Sequence, residues 1–199
     1  MTWLDILLLV VGTFYAFFPH EMHLAVCRQF GFDKPINHGI HVMFGFTVLI
    51  SWLLLRGPNS FNWMNRTLYN SLLVACLAGL LDAMFHFAFT EPFENWFYFV
   101  VKVALLAPMT YYIQQNPTLK KNPLYSAIIG GGIFMIVFSI YYRLNEYVKG
   151  QPFGARVPDI NLFGYNMSYH DNMFLSALIW GVVHFMAYLI PALVILQYL

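Results

Sequence analysis

Four of the chain's seven histidines fall between Pro19 and His41, in the run PHEMHLAVCRQFGFDKPINHGIH. They make two His-x-x-His pairs, His20 with His23 and His38 with His41. Imidazole is a neutral nitrogen ligand for transition metals and the side chain that exchanges protons nearest neutral pH. A second constellation is Asp82 with His86, four residues apart and so on one face of a helix. At that spacing the two side chains serve as acid and base at a reacting centre, or as a carboxylate and an imidazole ligand. The candidate catalytic residues are therefore Asp82 and His86, and the candidate metal ligands are His23, His38, His41, Asp82 and His86.

The elements that must position these groups are apolar. Charged residues make up 10% of the 199 residues, while 60% are hydrophobic and 19% aromatic; a soluble domain carries about 25% charged residues. A membrane-crossing helix needs ~20 mostly apolar residues, and several runs approach that length. The expected fold class is all-α: a polytopic integral membrane protein with about six transmembrane helices in one bundle. A single domain, 1–199, holds spans at about 2–18, 38–55, 68–90, 95–113, 124–143 and 172–199. Pro19 closes the first run, and 19–37 reads as a loop on one membrane face. Arg56-Gly57-Pro58 ends the second run, Glu91-Pro92-Phe93-Glu94 makes a turn, and 144–171 is the longest loop. The first run lacks a basic n-region and a small-residue cleavage site, so it reads as a retained helix.

Six spans put both termini on one side. The short loops of that side hold Arg56, Arg66, Lys120 and Lys121 and no acid, which makes it cytoplasmic by the positive-inside rule. Six of the seven histidines then belong to the opposite, extracytoplasmic side, with His184 deeper on the last span. The net charge of +1 comes without a basic stripe, which excludes nucleic acid as a partner. Cys27 and Cys76 fit no zinc or redox spacing.

An ionisable side chain within a bilayer costs roughly 2.5–3.5 kcal/mol on insertion scales, so Asp82 beside His86 requires compensation. A bound cation, a plain Asp–His hydrogen bond, or Lys102 on the next helix would each supply it. The plainer readings of the others are interfacial histidines for His38 and His41, a solvated loop for His20 and His23, a helix start for His170-Asp171, and a packed polar residue for His184. Imidazole with carboxylate suits a transition metal ion: copper, iron or zinc.

The order of these features resembles the C subunit of the copper membrane monooxygenases, the particulate methane and ammonia monooxygenases. His23-Leu-Ala-Val-Cys-Arg28 followed by Phe32, Pro35 and His38 is similar to one family motif. Asp82-Ala-Met-Phe-His86-Phe-Ala-Phe-Thr-Glu91 is similar to another, and the resemblance covers about residues 10–112. The chain departs from the family at Pro19, where the family has Asp, at Asp82, where it has Asn, and at Val100, near a later family His. His23 and His38 also stand further apart than the family's pair. The resemblance implies copper as the ion, held by His23, His38, Asp82 and His86, in a subunit of a membrane complex. The expected function is a metal-dependent membrane enzyme or enzyme subunit, oxidoreductase or monooxygenase-like. Its His/Asp site would sit near the extracytoplasmic face and act on a small apolar or lipid-like substrate; its partners would be the lipid bilayer and other membrane subunits. Two alternatives stay open: a metal-free lipid- or sterol-type isomerase using Asp82 and His86 as acid and base, and a non-catalytic subunit of a membrane complex.

Overall fold

The structure, a computed structural model, describes residues 2–31, 38–60, 64–89, 97–148, 160–162, 165–167 and 173–198. Side chains are described for these except 38, 86–89, 97–99, 138, 139, 141–148, 160–162, 165–167, 173–177, 179 and 180. Each of the six apolar runs forms a helix: α1 (Trp3–Phe17), α3 (His38–Arg56), α4 (Arg66–Phe89), α5 (Phe97–Gln115), α7 (Pro123–Val148) and α8 (Met173–Tyr198). Two short helices join them, α2 (His20–Gln29) and α6 (Pro117–Lys120), with a 3-10 turn at Pro58–Ser60. The fold is thus helical, with one small addition inside the long 144–171 stretch. There β1 (Ile160–Leu162) and β2 (Tyr165–Met167) pair antiparallel.

The reading of 19–37 as loop is corrected by α2. The local sequence carries the helix signals in muted form. Proline precedes the first turn, Glu21 lies in that turn, and Arg28 lies in the last, the charge placement that a helix dipole favours. Gly31 stops it: its φ of 80° is open to glycine without steric cost. Its N–H donates to the Arg28 carbonyl at 3.0 Å, closing the end of the helix. The helix puts His20 and His23 on one face, three residues apart.

Three helices hold windows long and apolar enough to cross a membrane: Gly39–Arg56, Arg66–Phe85 and Gly181–Tyr198. Trp3–Phe17 and Pro123–Val137 are apolar but shorter. Large apolar side chains stand exposed along α1 (Trp3, Ile6, Val10) and α7 (Ile129, Ile133, Ile136).

The core is centred on α4, which packs against α3, α5 and α8; Leu73, Val74, Ala75 and Ala78 on it are fully buried. Helix α1 lies antiparallel on α3. At one end Asp5 of α1, itself held in a capping box with Thr2, takes hydrogen bonds from Arg56 and from the Trp52 indole of α3. At the other end Tyr15 of α1 meets His41 of α3. Beside that second contact the backbones come close at Gly45, where a Cβ would fall on the Ala16 backbone. Replacing Gly45 with alanine should therefore separate α1 from α3 and destabilise the fold by ~1–3 kcal/mol, the usual cost of overpacking. Unfolding of the purified protein in detergent, wild type against Gly45→Ala, measures this; an unchanged midpoint would refute the packing.

Candidate metal centre

Three histidines from two helices meet beside the last turn of α1. His20 and His23 come from the first turns of α2, and His41 from the first turn of α3. His23 and His41 are buried and His20 is half-buried. One ring nitrogen from each lies within 4.8 Å of the others.

The orientation of two of the rings is set by backbone. The last carbonyls of a helix lack partners within it; α1 ends at Phe17, and the Phe14 carbonyl, which accepts the Phe18 N–H at 3.2 Å, keeps a second lone pair. His23 Nε2 lies 2.7 Å from the Phe14 carbonyl, and His41 Nδ1 lies 2.9 Å from the Tyr15 carbonyl. A carbonyl oxygen only accepts, so both nitrogens carry hydrogen and donate. In the neutral rings the other nitrogens, His23 Nδ1 and His41 Nε2, then hold lone pairs, and these face each other at 3.2 Å. His20 Nδ1 stands 3.2 Å from the same His41 nitrogen. Lone pairs at that distance repel unless something positive lies between them. His20 Nδ1 donates to the His41 nitrogen in the tautomer that carries hydrogen there, and adds a third lone pair in the other; in that second tautomer a metal ion would satisfy all three rings at once.

The residues fit such an ion. With metal–nitrogen bonds of about 2.0–2.1 Å, tetrahedral geometry puts ligand nitrogens about 3.3 Å apart, close to both 3.2 Å separations here. A ligating histidine that donates its second N–H to a backbone carbonyl is the usual arrangement that fixes tautomer and ring orientation. Burial pushes the His23 imidazole below its ordinary pKa, against an opposing effect of the Phe14 carbonyl, so the ring is neutral and ligand-ready at neutral pH. Phe14 meets the His23 ring edge-on at 4.6 Å, Tyr15 stacks on it at 5.3 Å, and Phe44 closes over Tyr15. The walls are thus aromatic, and they hold the rings and keep water away from the carbonyls.

Of the expected ligands, the structure brings together His23 and His41, and adds His20. The side chains of His38 and His86 lie outside the described residues, as do His170, Asp171, Glu91 and Glu94. Asp82 is not part of the histidine group. It lies deeper, about 10 Å from the end of α4 at ~1.5 Å per residue, in contact with Lys102 of α5. Both side chains are fully buried. Of the three compensations open to Asp82, the lysine is therefore present. His184 of α8 adds its Nε2 at 3.7 Å from the other carboxylate oxygen, and Phe134 of α7 packs edge-on against the His184 ring.

Reading the sequence gave His20 the least weight, because a loop leaves its direction open; the i, i+3 spacing becomes informative once α2 is a helix. Phe14 and Tyr15 were not singled out at all. Their contribution is through carbonyls at the end of an apolar run, and the signal available was Pro19, which marks where that run must stop.

Comparison with family models, curated proteins and solved structures finds no match to this chain.

The ligand geometry gives a direct expectation. Titration of the metal-stripped protein with zinc or copper should fill one site per chain. His23→Ala or His41→Ala should weaken it about a hundredfold or more, and loss of the half-buried His20 should cost less; equal affinities in all variants would remove the centre. Since protons compete for the same lone pairs, affinity should fall at acid pH, and burial of His23, which lowers its pKa, should carry that ring's share of the fall below the ordinary imidazole range; the same titration repeated at pH 7.5 and 5.5 measures the slope.

Proposed function

We propose that this chain is a multi-pass membrane protein that holds one transition-metal ion at His20, His23 and His41 near one membrane face, and works as a metal-dependent enzyme or enzyme subunit. The observation that carries this reading is the pair of carbonyl hydrogen bonds that turn His23 and His41 toward a common point with His20. A histidine kept only for packing needs no such convergence of lone pairs.

The membrane part rests on three apolar helices of spanning length, two shorter apolar helices, and apolar side chains exposed along α1 and α7. In lipid those faces need no cover. Six spans, with both termini in the cytoplasm, accommodate α1, α3, α4, α5, α7 and α8. The histidine centre then lies at the extracytoplasmic boundary, where the second end of α1 and the first turns of α2 and α3 meet.

Copper, zinc and iron all accept imidazole ligands, and the absence of a thiolate in the described group sets the site apart from structural zinc centres. The metal supplies Lewis acidity, or a redox centre if it is copper or iron. The chain's own residues bind it and orient it, and their aromatic surround limits water. A substrate reaching this place from the bilayer is small and apolar, or lipid-like. The likeness to the copper monooxygenase subunit supports copper among the three metals and a partner within a membrane complex, with a ligand set here built on His23 but completed by His20 and His41.

Metal analysis of the protein purified from membranes tests the reading. Wild type should carry about one equivalent of a transition metal, and the His23→Ala/His41→Ala double variant none. Equal metal content in the two proteins would overturn it. Labelling of single introduced cysteines from each side of sealed vesicles should place Gly31 and position 60 on opposite faces; labelling from one face alone would reject the spanning arrangement of α3.

A further inference from the structure

The bundle core holds a second group of ionisable side chains that the metal reading does not use. Asp82 of α4, Lys102 of α5 and His184 of α8 are 0%, 0% and 4% exposed. Asp82 contacts Lys102 and stands 3.7 Å from His184. Lys102 also lies over the Phe134 ring of α7, 5.8 Å from its centroid. These are the charged or titratable groups facing one another there among the described residues of α4, α5, α7 and α8. An apolar trio of similar volume would hold the helices at least as well, since desolvation offsets much of the attraction within a buried pair.

The two helices that bring Lys102 and His184 to Asp82 share another feature. Pro108 lies inside α5 and Pro191 inside α8. Proline has no N–H, so the carbonyls of Ala104 and Ala187 lose their helix donors, and each helix is weakened at that level. The two helices run in the same direction: Lys102 and His184 meet at Asp82, and further along Thr110 and Tyr188 meet hydroxyl to hydroxyl at 2.8 Å. The prolines follow Lys102 by six residues and His184 by seven, about 9 and 10 Å along the axes at ~1.5 Å per residue. Both breaks therefore fall on the same side of the charged group. The Thr110–Tyr188 bond joins the two helices beside the breaks, two residues past Pro108 and three before Pro191, and its direction is fixed, because Thr110 gives its own hydrogen to the Leu106 carbonyl at 2.7 Å. It can serve as the pivot.

We propose that Asp82, Lys102 and His184 form a charge latch that closes the leading halves of α5 and α8 against α4, with Pro108 and Pro191 as the paired hinge. Opening the latch lets 97–107 and 173–187 move away from α4, while the segments that follow stay packed through Thr110–Tyr188 and through Gln114, which donates to Ser126 at 3.3 Å. The motion exposes the charged group toward the membrane face that also carries the histidine centre. This inference stands on α4, α5 and α8 alone and does not depend on metal binding.

Hydrogen–deuterium exchange of the full chain in lipid nanodiscs tests it. Asp82→Asn leaves Lys102 buried without its counter-charge. It should raise exchange in 97–107 and 173–187 by about a hundredfold, the factor implied by breaking one side of a buried pair, with α1 and α3 unchanged. A uniform rise over all helices, or no rise, overturns the latch and leaves an ordinary packing contact. If Asp82→Asn fails to fold, Pro108→Ala/Pro191→Ala serves in its place. Restoring both N–H donors should slow exchange in the same two segments severalfold, and unaltered exchange there overturns the hinge.

Discussion

The histidine centre depends on how α1 ends. A helix cannot satisfy its own last carbonyls, and in an apolar setting those oxygens need donors close by. Here the donors for Phe14 and Tyr15 include the imidazoles of His23 and His41, and that need on the backbone side fixes tautomers on the side-chain side. The arrangement holds only while α1 keeps its register on α3. Two contacts maintain it: the Asp5 carboxylate with Arg56 and Trp52 at the opposite end, and the close approach of Gly45 to Ala16 beside the histidines. A shift of one helical turn, ~5.4 Å, would put the carbonyls beyond reach of both rings.

The two buried polar centres solve the same problem in different ways. At the rim, neutral His23 and His41 pass one hydrogen each to backbone and turn their other nitrogens toward each other and toward His20. In the core, Asp82 and Lys102 meet each other's demand internally, and His184 adds a third group at longer range. The first arrangement could hold a metal ion. The second is self-contained, and its chemistry is expressed through the helices it joins.

Much of this was legible in the residues. The apolar runs and their proline and glycine boundaries located all six long helices to within a few residues, because length and composition dominate when the surroundings are apolar. Clustering of histidines before His41 pointed to residues that the fold brings together, and Lys102 stood out as a cation in an apolar run within reach of Asp82. What stayed hidden was anything carried by the backbone or by distant sequence. Phe14 and Tyr15 act through carbonyls, which no side-chain pattern reports. Asp5 and Arg56 are paired only by the way α3 folds back along α1. The polar composition and short length of His20–Gln29 concealed a helix whose stability comes from its capping glycine and from packing rather than from propensity.

One consequence concerns sequence order. Every group that binds or orients at the histidine centre, from Phe14 to His41, belongs to one short contiguous stretch. The loops closed in bringing these groups together are small, and the entropy lost in closing them is correspondingly slight. A centre of this kind has low contact order: it assembles from neighbours along the chain, ahead of the long-range docking of α8 on α4. It is therefore a unit of α1, α2 and α3, complete once α1 has docked along α3. Such a unit can be complete while the remainder of the bundle is still being made.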